Sequence, residues 1–138
     1  MHGSTYARGV SEPIEQGVID LAVRVFGLAR AGETEELAAY VDAGVPVDLT
    51  NEKGDTLLIL AAYHGHAGTV AALLERGADH SRANDRGQTP LAAAVFKQSA
   101  GTVRALLAAG ADPDAGQPSA RATAQFFELP EMAALLPA

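Results

Sequence analysis

His64, His66 and His80 stand close together in the chain, and three imidazoles are enough to raise the question of a metal site. Zinc needs three or four donors converging on one point, usually with a fixed spacing on one element. No acidic residue is spaced to complete such a set, and His80 falls in a different segment from the other two. Asp79 and Asp112 could make a carboxylate pair, but each follows a Gly-Ala dipeptide, where Asp usually shapes a turn. Ser11, Thr56, Thr89 and Ser119 each precede an apolar run, the place of a helix N-cap, and none sits in a G-x-S-x-G elbow. Neither G-x-x-x-x-G-K-[ST] nor G-x-G-x-x-G occurs, so no phosphate-cradling loop is indicated. With zero cysteines there is no thiolate nucleophile, thiolate metal site or disulfide framework. Enzyme activity finds no support, and no cofactor is implied.

The elements that carry these residues repeat. Asn84–Gly116 lies over Asn51–Ala83 without a gap: Gly87 on Gly54, Thr89 on Thr56, Leu91 on Leu58, and Gly110-Ala111-Asp112 on Gly77-Ala78-Asp79. The offset is constant, 87 − 54 = 33. A period of this length signals stacked structural repeats. Each unit reads as a turn, a first helix capped by Thr56 or Thr89, and a second helix opening at Gly68-Thr69 or Gly101-Thr102. Ile14, Val18, Leu21, Ala22, Val25, Leu28 and Ala29 follow helical spacing from a start at Ser11 to a stop at Gly32. Glu33–Asp42 then supplies a second helix, with Gly44 in register with Gly77. Residues 1–10 carry no pattern and read as a flexible N-terminus.

With Gly87–Leu91 (G-Q-T-P-L), Ala61–His66 and the L-L-x-x-G-A-D endings quoted, the chain resembles the ankyrin repeat family. The resemblance implies an all-α solenoid of stacked helix-turn-helix units joined by hairpin-like connections. One domain over residues 11–138 would hold an N-terminal capping repeat (11–50), two regular repeats (51–83 and 84–116) and a C-terminal capping repeat (117–138). Aligning Met132 with Val103 makes that last repeat about four residues short, with Phe126, Phe127 and Leu129 closing the core. Both regular repeats depart from the family's T-P-L-H, having Ile59 and Ala92 where its bridging His would stand. His66 matches a position that is commonly a structural His bonding the loop backbone. Gln98 replaces Gly65, so it is expected to take a left-handed conformation at a cost of order 1 kcal/mol.

Net charge is −7, which disfavours a nucleic-acid or anionic membrane partner. The longest unbroken apolar run, Leu57–Tyr63, is too short to span a bilayer, and no basic-then-apolar leader opens the chain. The cytoplasm is the expected location. The family resemblance implies a monomeric adaptor or regulator that presents a concave surface to another protein. Hairpin tips Glu52, Lys53, Asp55, Asp85, Arg86 and Gln88 and the first-helix residues Tyr63, His64, Phe96 and Lys97 would form it. Tyr63 and Phe96 are 33 apart and so stack in adjacent units, as a binding pair or, alternatively, packed between repeats. Two other functions stay open: a metal- or small-molecule-binding accessory using His64, His66 and His80, and a structural accessory without a single partner.

Overall fold

The computed structural model describes the backbone of residues 3–138 and the side chains from Glu15 onward. Among the described residues eight helices follow one another: α1 (Gly3–Ala31), α2 (Thr34–Asp42), α3 (Leu57–Tyr63), α4 (Ala67–Glu75), α5 (Pro90–Phe96), α6 (Ala100–Ala108), α7 (Ala120–Phe126) and α8 (Pro130–Leu135). The first helices of the units pack side by side in the order α1, α3, α5, α7, and the second helices in the order α2, α4, α6, α8. The core lies between these two rows. Leu57, Leu58, Leu91, Val70, Leu73, Val103 and Leu106 are all essentially inaccessible, with Ala61, Ala62, Ala93 and Ala94 letting the first helices approach closely.

The start signals act as the sequence predicts. Thr56, Thr89 and Ser119 each accept a hydrogen bond from the backbone N–H three residues on, at 3.0, 3.2 and 3.0 Å. Gly32 and Gly65 turn the chain between paired helices with φ of +75° each. Gln98 does the same at φ +57°, the left-handed conformation expected of it, and Glu128 joins it at +53°.

Three expectations are corrected. First, α1 begins at Gly3 and not at Ser11; Ala7, Arg8 and Glu12 are good helix formers. The cap proposed for Ser11, and Ile14 on the apolar face, rest on side chains outside the described residues. Val18 and Leu21 belong to the expected apolar face, yet they are exposed, as are Ile19 and Val23. The neighbouring α3 is seven residues long and covers only about 10 Å of a helix roughly 43 Å long. Burial therefore starts near Ala22 and is complete at Val25, Phe26, Leu28 and Ala29.

Second, the last unit is three residues short, and the loss lies in its connection. Ser119 caps α7 as Thr89 caps α5, and Glu128 turns like Gln98; both offsets are 30, from 119 − 89 and 128 − 98. Five residues, 84–88, separate Ala83 from Thr89, whereas only Gln117 and Pro118 separate Gly116 from Ser119. The fourth unit has therefore lost its hairpin tip. Third, Phe126 and Phe127 do not close the core, being 79% and 49% exposed. Met132 and Leu136 close it instead, with Leu129 and Leu135 half-buried against them. At an offset of 30, Leu136 takes the place of Leu106.

Candidate interaction surface

The connections into the second and third units are hairpins, each built by one asparagine. Asn51 Oδ1 accepts from the backbone N–H groups of Lys53 and Asp55, both at 2.9 Å, and Asn84 Oδ1 from those of Arg86 and Gln88, both at 3.0 Å. The hairpins are tied to each other. Asp85 N donates to Lys53 O at 3.0 Å, and Asn84 Nδ2 donates to Asp55 Oδ1 at 2.8 Å. Gly54 fits under this tie, since a Cβ there would fall 2.4 Å from the Asp85 carboxylate. Asp55 is thus a correction: it is buried, and its carboxylate joins successive hairpins where a contact residue was expected.

The first helices end two residues before the left-handed turn, which fixes what stands at the rim. Tyr63 ends α3, Phe96 ends α5 and Phe126 ends α7. Tyr63 and Phe96 stack with centroids 6.4 Å apart and planes 17° from parallel. Phe96 meets Phe127 edge-on at 5.3 Å, and Phe127 meets Phe126 at 4.9 Å. Lys97 places its Nζ 4.8 Å from the centre of the Tyr63 ring, a cation–π contact. Exposure rises along the row: Tyr63 is half-buried, Phe96 is 40% exposed and Phe126 is 79% exposed. The aromatic pair thus both packs between units and reaches solvent.

Between hairpins and first helices lies a cleft of about 250 Å³. Of the residues expected at the surface, Glu52, Lys53, Tyr63, His64, Arg86 and Gln88 line it together with Arg30 and the buried Asp55. Phe96 lines an adjoining depression of about 340 Å³ with Tyr63, Arg86, Gln88 and Pro118. Lys97 reaches the cleft only through its contact with Tyr63, and Asp85 stays exposed at its hairpin tip. Burial holds the His64 imidazole below its ordinary range, and the charges of His66, Lys97 and Arg30 add to the effect.

The three histidines are not brought to one point. His64 and His66 lie ring over ring at 6.4 Å. His66 Nε2 is 2.8 Å from the carbonyl oxygen of Arg30, and its ring sits where a Cβ on Gly32 would be, 2.6 Å away. It is a tie between the first two units. His80 lies instead beside Gly110, in another connection, with Nδ1 buried and without a partner. Among the described residues no three His, Cys, Asp or Glu side chains are grouped to hold a metal ion. Asp79 and Asp112 are turn residues: each carboxylate accepts from the backbone N–H two residues on, at 2.9 Å. Also among the described residues, no helix is long and apolar enough to cross a membrane.

Sequence reasoning missed Phe126 and Phe127 as members of the aromatic row. The signal was present: 126 − 96 = 30 matches the spacing of the caps, 119 − 89 = 30. Alignment through Met132 obscured it.

Comparison with known proteins agrees with this geometry. A family model described as ankyrin repeats (3 copies) matches residues 26–117. The ankyrin repeat protein PA3287 of Pseudomonas aeruginosa is 51% identical over 47 residues, 34% of this chain and 28% of that protein. The crystal structure of the human ASB11 ankyrin repeat domain aligns with a TM-score of 0.62 at 32% identity. That alignment covers 64% of this chain and 40% of the other. The chain thus spans well under half the length of either relative.

Proposed function

We propose that this chain, which belongs to the ankyrin repeat family, is a non-enzymatic adaptor or regulator that holds a partner protein on its concave face. Ankyrin repeats are generally protein–protein interaction modules, and the finer reading concerns which face and which residues do the binding. The observation that carries it is the stacked Tyr63–Phe96 pair, capped by Lys97 and opening onto the cleft between the hairpins. Aromatic side chains held rigid beside charged ones are the usual anchors of a binding surface, because little rotamer freedom remains to be lost. Glu52, Lys53, Asp85, Arg86, Gln88 and His64 form the polar rim in this reading. The protein acts as a monomer in the cytoplasm, a setting that an acidic chain without cysteine suits.

The test is affinity capture from native lysate with the wild type and a Tyr63→Ala/Phe96→Ala variant whose helicity is first checked by circular dichroism. Loss of captured protein by the folded variant supports the reading. Equal capture by both removes the aromatic pair as the anchor.

A further inference from the structure

We propose that the cleft recognises an acidic segment of the partner, its carboxylates on Arg30, Lys53 and Arg86 and an apolar side chain on the Tyr63–Phe96 stack. This rests on the reading of the concave face as a protein-binding surface. The chain as a whole carries −7, so its cations would be expected to be neutralised locally. Away from the cleft several are: Arg24 pairs with Glu36, Arg76 with Asp42 and Arg121 with Asp114. Among the described residues, Arg82 and Arg104 elsewhere make no such pair, and neither do the four cations Arg30, Lys53, Arg86 and Lys97. Three of these four line one cleft and the fourth stands over Tyr63.

The opposing acids are few. They are Glu52 and Asp55 in the cleft, the latter still charged while it accepts from Asn84 Nδ2, and Asp85 at the next hairpin tip. Four cations, Arg30, Lys53, Arg86 and Lys97, thus stand against three carboxylates, Glu52, Asp55 and Asp85, a local positive excess in a molecule of net charge −7. Such a surface attracts carboxylates and concentrates them over the aromatic pair. A polynucleotide fits less well, because a phosphate backbone needs a long run of Lys and Arg, and the acidic remainder of the chain repels it.

Fluorescence anisotropy on the full chain tests this with three labelled probes. They are a peptide of about twelve residues rich in Asp and Glu around one Phe, its Asn/Gln counterpart, and a single-stranded oligonucleotide of similar length. The acidic peptide is expected to bind at least about tenfold more tightly than either of the others, and to weaken with added salt. Arg30→Glu/Arg86→Glu should cost at least about tenfold in affinity with an unchanged melt, while Arg82→Glu/Arg104→Glu should leave affinity within about twofold. Equal binding of the neutral peptide, tighter binding of the oligonucleotide, or equal loss in both variants would overturn the proposal. The lysate experiment separates the two levels. Capture that is lost with Tyr63→Ala/Phe96→Ala but kept with Arg30→Glu/Arg86→Glu leaves the binding face standing and refutes its acid preference. Capture kept by both variants refutes the two together.

Discussion

Replacing Gln98 by glycine should stabilise the protein. At the equivalent turns of the first two units, Gly32 and Gly65 take φ +75° without a side-chain penalty, whereas Gln98 holds φ +57° with a Cβ. A left-handed conformation costs a residue with a Cβ about 1–2 kcal/mol. Glycine returns roughly 0.4–1 kcal/mol of that through the greater freedom of its unfolded chain. The Gln98 side chain is exposed, and the backbone bond from Gln98 N to Val95 O at 2.9 Å survives the change, so no contact is lost. The net gain is roughly 0.5–1 kcal/mol, or about 2–4 °C in Tm for a domain of this size. Glu128→Gly, at φ +53° in the next unit, should give a similar gain, and the two should add because they share no partner. Thermal melts followed by circular dichroism measure both, with Gln98→Ala as the control that keeps the Cβ and should gain nothing. An unchanged or lowered Tm for Gln98→Gly, or an equal gain for Gln98→Ala, would show that the turn stores no such strain.

His66→Ala removes the bond to Arg30 O and the ring that packs over Gly32. It should cost about 1–2 kcal/mol, while Ser99→Ala, whose hydroxyl meets only Thr102 of its own unit at 2.7 Å, should cost clearly less; equal losses in urea titrations would deny His66 its role between units. Asn84→Ala removes the side-chain oxygen that accepts from the Arg86 and Gln88 backbone N–H groups, and the bond to Asp55, about 2–3 kcal/mol in all. Asn84→Asp should be no better, since it sets a carboxylate against that of Asp55, and a neutral result for Asn84→Asp would refute the tie. His64 also predicts a pH effect. Its folded value lies below the ordinary His value of about 6.5. Between those two values the unfolded chain binds the proton and the folded chain does not, so stability rises with pH across that window. His64→Gln should flatten the stability profile there, and an unchanged slope would contradict the assignment.

Much of the fold was legible because each unit repeats its own punctuation. Thr56, Thr89 and Ser119 as caps, Gly32 and Gly65 at the turns, and the strain at Gln98 all follow from local chemistry that needs no knowledge of neighbours. The errors lie where neighbours decide. Val18 and Leu21 keep helical spacing, but α3 is too short to reach them. Asp55 occupies a hairpin position that is exposed in isolation, and the next hairpin covers it through Asn84. In the last unit the hairpin tip is missing, so an alignment drawn through Met132 misplaced Phe126 by one position and hid the third step of the aromatic row. The grouping of Arg30, Lys53 and Arg86 crosses three units and emerges only when the units are stacked.

The central claim is that a partner protein sits on the concave face. Amide hydrogen exchange of the chain alone and with its captured partner reads this directly. The account predicts new protection in the hairpins around 51–55 and 84–88 and at the C-terminal turns of α3 and α5, with α4 and α6 unchanged. Protection confined to α4 and α6, with the hairpins exchanging as in the free protein, would contradict it.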